Sequence, residues 1–371
     1  MRYLLASTFL VSLAMGMVGL ALPLYAKDLG ASYTEIGLLG VAFVVFGILV
    51  SVPSGRLADR YGRKPFILLS LFSTSCVFVL YSYAGAVIWL LALRLVQGMT
   101  EMPLWINAQA AVADLTAPAI RGKAIGAYGT SWGSGFAVGP LLGGLLYKSV
   151  GPTLTFLLGA AVAFTSAAVM MGSILPKPEI GVEKVRLKSL LPACYVGLIY
   201  MGVVAVIFTL FPAYAKDMGM SASQIGVLLT LFAAMRAILF IPLGGLSDKL
   251  GYRLIILLGM LGLVIASVFL AIVTSYFLFA WAILFLAVAE GAIYPAMMSM
   301  VSGAAGIQNR GYVLGVFNMI LLIGWGLLPG IGGVLADVVS PNAPYFMCAF
   351  VALGALILFW KLLPRKGIAQ Y

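Results

Sequence analysis

Arg94, Gln97 and Glu101 sit at spacings of three and four inside one long apolar run, which places them on a single helical face. Glu290 and Arg236 lie near the middle of two other apolar runs. An ionisable side chain at bilayer depth costs at least ~2.5 kcal/mol and nearly always faces a cavity, a partner or an ion path. The chain has no histidine, so a proton carrier would have to be a carboxylate. A carboxyl in a low-dielectric cavity favours its neutral form and can exchange a proton near neutral pH. Two uses compete for these residues. In one, Glu101 or Glu290 cycles a proton while Arg94 and Arg236 modulate it or bind a substrate. In the other, Arg94–Glu101 and Arg236–Glu290 are static ion pairs that hold helices together. Seven helical residues span about 10.5 Å, so the first pair would need both long side chains to bend towards each other.

The elements that position them must be membrane helices. The 371 residues are 63% hydrophobic and 9% charged, with a mean hydropathy of +1.13, whereas soluble domains carry about 25% charged residues. A hydrocarbon core about 30 Å thick takes about 20 apolar residues per helix. Twelve segments fit, at 3–26, 35–56, 65–84, 87–113, 123–147, 153–175, 189–214, 223–246, 254–274, 277–303, 311–336 and 344–362. Their continuous apolarity points to helices, not to alternating barrel strands. The first run is too long for a signal-peptide core and reads as a retained span. Cys76, Cys194 and Cys348 lie in apolar runs without CxxC spacing, so neither a metal site nor a disulfide framework is expected. No phosphate-binding glycine loop and no nucleophile–base arrangement is visible. The expectation is a non-enzyme without cofactor or metal, not driven by ATP.

The chain repeats itself at an offset of 189 residues. Pro23-Leu24-Tyr25-Ala26-Lys27-Asp28 matches Pro212-Ala213-Tyr214-Ala215-Lys216-Asp217; Glu101 matches Glu290; Pro140 matches Pro329; Gly143-Gly144 matches Gly332-Gly333. The expected organisation is a six-helix bundle at 1–175, a linker at 176–188 and a second bundle at 189–371. Six is even, so the halves share one orientation about an axis along the membrane normal, with a site between them near the midplane. Most of the 22 Lys and Arg fall at one end of the segments, against Lys27, Lys148 and Lys216 at the other. By the positive-inside rule both termini are cytoplasmic, in a multi-pass protein of the cell membrane. The net charge of +11 then reflects topology and contact with anionic lipid, not nucleic-acid binding.

The densest charge lies in Gly55–Pro65, which joins segments 2 and 3 and is echoed by Gly244–Arg253. Gly55-x-Leu57-x-Asp59-Arg60-x-Gly62-Arg63-Lys64 resembles the loop between helices 2 and 3 of the major facilitator superfamily. Arg94-x-x-Gln97-Gly98 is similar to its helix 4 pattern. Gly126-x8-Gly135-x3-Gly139-Pro140-x2-Gly143-Gly144 is similar to the helix 5 pattern of its drug/proton antiporters. The resemblance covers essentially the whole chain and implies an all-α fold of two pseudo-symmetric six-helix bundles. It implies alternating access, with Glu101 and Glu290 in a cavity lined by helices 1, 4, 7 and 10. It implies a cytoplasmic gate made of Gly55, Asp59, Arg60, Gly62, Arg63, Asp114 and Arg121, with Gly244, Asp248, Gly251 and Arg310 in the second half. Asp114 is the expected partner of Arg60 or Arg63.

Gly135, Gly139, Pro140, Gly143 and Gly144, with Pro329, Gly332 and Gly333, are expected to pack helices closely and to bend them. Part of that pattern belongs to the repeat. Segment 1 lacks the acidic residue found in many such exporters. The expected partners are a small-molecule substrate, protons and the bilayer, and the protein is expected to work as a monomer. Proton-coupled export of a lipophilic or amphiphilic molecule is the leading reading; a proton symporter or facilitator for a small metabolite, or a lipid flippase, are the alternatives. The second half replaces Arg63 by Tyr252 and Asp114 by Gly303. Asp59→Asn is therefore expected to change the accessibility of cysteines at the gate end more than Asp248→Asn does. Equal effects of the two would refute an asymmetric gate.

Overall fold

In lipid a backbone must satisfy its own polar groups, and long apolar runs do so as helices. The computed structural model describes residues 1–116, 121–176, 191–304 and 310–362. The elements are α1 (Arg2–Asp28), α2 (Tyr33–Tyr61), α3 (Arg63–Tyr81), α4 (Val87–Asp114), α5 (Arg121–Met171), α6 (Leu191–Thr209), α7 (Phe211–Asp217), α8 (Ala222–Leu250), α9 (Tyr252–Ile272), α10 (Tyr276–Ala304), α11 (Arg310–Val338) and α12 (Ala343–Leu362). Beyond Pro176 the expected linker lies outside the described residues, as do the side chains of Arg121, Asp248 and Arg310.

Eleven of these helices are long and apolar enough to span a bilayer, and α5 does so twice. It folds back at Gly151, whose φ of +81° suits glycine alone, just before Pro152. Its first arm runs alongside α1 in the same direction, with Ser131 donating to the Leu5 carbonyl and Gly139 packed on Gly16. Its second arm returns past Val18, Ser7 and Tyr3 through Gly159, Ser166 and Gly172. Segments 5 and 6 are therefore two helical arms joined directly at Gly151, which gives twelve crossings in all. Segment 7 is divided into α6 and α7 around Leu210, where Pro212 removes a backbone donor at the start of α7.

The first half is α1–α5 and the second α6–α12. Arg2, Arg60 and Arg63 mark one end of the bundle, the basic end; Asp28, Asp217 and Val338 mark the far end. The halves meet through contacts that repeat at the same offset as the sequence. Gly37 of α2 packs on the Pro329 carbonyl of α11, and Gly226 of α8 packs on the Pro140 carbonyl of α5. Gly333 lies on the Tyr33 backbone and Gly144 on the Ala222 backbone. Such a pseudo-two-fold interface is self-complementary. All of these contacts are on the far side of the bundle's middle. The described hydrogen bonds and ion pairs between the halves are also at the far end. Towards the basic end α5 presents Gly126 and Gly129 to open space, and Ile238 and Ile241 of α8 are exposed.

Within the first half, Gly98 brings α4 against α2. A Cβ there would lie 2.7 Å from the Phe43 carbonyl carbon, so only glycine permits the approach. Gly98→Val is expected to cost about 1–3 kcal/mol by overpacking and to lower the thermal midpoint in detergent. Gly126→Ala, which meets nothing within 4 Å, is expected to leave that midpoint unchanged or raise it slightly, since alanine is the better helix former.

Candidate functional site

Helical spacing puts Arg94, Gln97 and Glu101 on one face of α4, and the structure joins them in a chain. Arg94 Nη1 donates to Gln97 Oε1 at 2.8 Å, and the Tyr81 hydroxyl of α3 donates to the same oxygen at 2.7 Å. With its oxygen accepting from Arg94, which can only donate, and from Tyr81, Gln97 turns its amide nitrogen to Glu101 Oε2 at 2.9 Å. Trp105 Nε1 donates to the other oxygen, Oε1, at 3.1 Å. Both oxygens of this buried carboxyl thus accept from neutral N–H groups. Arg94 does not touch Glu101: Gln97 stands between them. Its guanidinium instead covers the Phe43 ring at 5.0 Å, the contact that the Gly98 approach permits.

This chain borders a cavity of about 70 Å³ between the halves. Arg94, Gln97 and Glu101 line one wall with Phe43 of α2, Met15, Gly16 and Gly19 of α1, and Phe136 of α5; Phe208 and Thr209 of α6 and Trp325 of α11 line the other. Trp132 packs on Phe136 at 5.2 Å and edge-on to Trp105 at 6.5 Å, so aromatic rings continue from the cavity towards the basic end. The cavity is mostly aromatic and apolar, with one carboxylate, one guanidinium and one amide.

Glu290 is not in that lining. It is completely buried in the second half, with Oε2 at 3.5 Å from Arg236 Nη1 and Oε1 without a partner among the described residues. Arg236 lies over Phe232 at 5.3 Å and Phe240 at 5.9 Å. Phe232 contacts Phe208, a cavity wall residue, at 5.8 Å, so Arg236 stands one ring behind the cavity. Glu101 and Glu290 are repeat positions, and so are Phe43 and Phe232; the arginines are not. Position 236 corresponds to Gly47, where the Met102 side chain leaves no room for a Cβ, and the first half carries its arginine on α4 instead.

At the basic end Arg63 pairs with Asp114, and its Nη1 reaches Asp59 Oδ1 at 3.3 Å. Arg60 lies over Tyr61, so Arg63 is the residue that takes Asp114. Gly62 and Gly251 each form the whole connection between two helices, at φ +93° and +86°. Lys64 donates to the carbonyls of Met171 and Ser173, tying α3 to the end of α5. Gly55 has open space around it, whereas a Cβ at Gly244 would touch the Pro295 side chain at 3.4 Å. The glycines of the expected hinge lie in contacts: Gly135, Gly139 and Gly143 on α1, and Gly332 beside Leu210 and Pro344. Sequence reasoning passed over Tyr81, Phe43 and Phe232. It also assigned Lys27 and Lys216 to topology alone, although their place in the repeat was a signal of pairing.

The sequence profile described as the Major Facilitator Superfamily matches residues 4–192 and again 193–370. The chain belongs to that superfamily. Like its other members it is a multi-pass membrane transporter, and two superfamily-type halves account for the internal repeat. Multidrug resistance protein 1 of Bacillus subtilis is 28% identical over 374 residues, covering 96% of this chain and 95% of the relative. The quinolone resistance protein NorA of Staphylococcus aureus is 24% identical over 369 residues, covering 94% and 93%. Among solved structures, a bacterial homolog of the human lysosomal transporter Spinster, in an inward-facing and occupied conformation, superposes with a TM-score of 0.83 at 18% identity, covering 96% of this chain and 95% of that one.

Within this superfamily fold the Arg236–Glu290 pair ties α8 to α10. Arg236→Met alone leaves Glu290 buried without its cation and is expected to destabilise the protein by about 3–5 kcal/mol. The double variant Arg236→Met/Glu290→Met should recover most of that loss. Thermal unfolding of the two variants and the parent checks this; a double variant no more stable than Arg236→Met would contradict a pair whose main role is to neutralise itself.

Proposed function

We propose that this transporter exports a lipophilic or amphiphilic small molecule in exchange for protons, from a cytoplasmic membrane in which the basic end faces the cytoplasm. The placement of Glu101 carries the reading: among the described residues it is the one carboxyl on the wall of an aromatic cavity between the two halves. Aromatic and methionine walls accept varied apolar and cationic bodies. The carboxylate of Glu101 can hold either a proton or the polar end of such a ligand, and competition between them couples the two flows. Gln97 and Trp105 keep the carboxylate aimed while it is charged. Glu290, paired with Arg236 behind the aromatic wall, balances charge in the second half and is not the exchanging group.

The lysine and arginine distribution supports a cytoplasmic basic end. The far end is then the outer side, and this conformation is closed to the outside. Arg63, with Asp59 and Asp114, holds the ends of α2, α3 and α4 together as a unit that moves with the first half. The relatives named for multidrug and quinolone resistance support export as the direction.

Reconstitution in proteoliposomes with a pH gradient, against a panel of lipophilic amines and amphiphiles, tests the proposal. Glu101→Gln is expected to reduce gradient-driven transport at least about tenfold while ligand-induced thermal stabilisation persists, because one interaction specific to the coupled step is lost. Gradient-driven transport that survives Glu101→Gln would sink it. Uptake driven by the gradient of opposite sign would favour a symporter.

A further inference from the structure

The lysine–aspartate step at the end of each half's first segment has a use that topology does not explain. Lys27-Asp28 closes α1 and Lys216-Asp217 closes α7, and the two steps are repeat positions. Neighbours on a helix do not face each other, so neither lysine can pair with its own aspartate. Each is paired across the interface instead. Lys27 Nζ is 2.9 Å from Asp217 Oδ2, and Lys216 pairs with Asp28. The crossing is what a two-fold interface requires: a patch holding one acid and one base meets a copy of itself.

Tyrosines and a helix cap extend the set. The Tyr33 hydroxyl donates to Asp217 at 2.7 Å, and its ring lies 4.3 Å beneath the Lys27 ammonium. The Tyr147 hydroxyl donates to Asp28. Asp337 of the second half accepts from the backbone N–H groups of Tyr33 and Thr34, at 2.9 and 2.7 Å, and so caps α2 of the first half.

We propose that Lys27, Asp28, Lys216 and Asp217 are a reciprocal gate of the transport cycle, formed only while the far end is shut and released when the halves part there. Among the described residues the ion pairs of all four run across the interface and none runs within a half, so these pairs hold while the halves meet here and are lost when they part. The residues are partly exposed, and solvent reaches the Lys216–Asp28 pair through a pocket of about 340 Å³. Their charges can therefore return to water on opening. One such pair shifts an equilibrium by no more than about fivefold, and two acting together bias the closed state without locking it. The proposal is independent of the substrate and of proton coupling, because it concerns only which end is closed.

The test uses the full chain with Cys76, Cys194 and Cys348 replaced by alanine and a reporter cysteine at Gly19. Gly19 lines the central cavity, and a Cβ there meets nothing within 4 Å. A membrane-impermeant maleimide is applied from the far side, without substrate or pH gradient. Lys27→Asp with Lys216→Asp sets acid against acid and should raise the labelling rate about tenfold. Adding Asp28→Lys and Asp217→Lys restores opposite charges across the interface and should return the rate to within about twofold of the parent. If the charge reversal does not yield folded protein, Lys27→Met with Lys216→Met is read by the same criterion of increased labelling. An unchanged rate in the reversed or neutralised protein, or a fourfold variant that labels as fast as the reversed one, would overturn the gate.

Discussion

Backbone contact between the halves is the constraint from which the remaining geometry follows. Lipid offers no hydrophobic drive for helix association, so packing must come from close approach and from polar contacts. Gly37 against Pro329 and Gly226 against Pro140 supply that approach twice, by symmetry, on the far side of the bundle. Beyond these four positions the Lys–Asp steps of the two halves cross and pair. The space left below them becomes the cavity beside Glu101. The glycine and proline runs of α5 and α11 thus belong to the interface as much as to any bending of their own helices.

The second constraint is charge at depth. Glu101 and Glu290 occupy equivalent positions, but the chain accommodates them differently. Around Glu101, Tyr81 and Arg94 orient Gln97, and Gln97 and Trp105 supply the donors. Around Glu290, Arg236 supplies the countercharge directly. A carboxyl held by neutral donors beside a cavity can change partners. One held by a buried guanidinium would leave an unpaired cation if it did, and that costs several kcal/mol. The repeat gave both halves a carboxyl and an aromatic ring at positions 43 and 232, and the divergence of the arginine separated their roles.

Among the described residues the two ends of the molecule also differ in kind. At the basic end the described ion pairs, Arg63 with Asp59 and Asp114, lie within the first half. At the far end they lie between halves. A network within one half stiffens a moving body, whereas a network between halves biases the equilibrium of the motion itself.

Much of this protein was legible in its amino-acid sequence because the signals are local or periodic. Run length dictated the crossings, and the offset of 189 residues revealed two halves. Spacings of three and four put Arg94, Gln97 and Glu101 on one face. Even so, segments 5 and 6 meet directly at the non-helical Gly151, and segment 7 is divided near Pro212, which has no backbone donor to continue the ladder. Tertiary structure alone decided that Gln97 stands between Arg94 and Glu101, that Glu101 and not Glu290 borders the cavity, and that Lys27 finds Asp217. Each of these depends on how helices distant in sequence approach one another. That approach is set by side-chain volume at contact points such as Gly98 and Gly37, and it leaves no periodic trace along the chain.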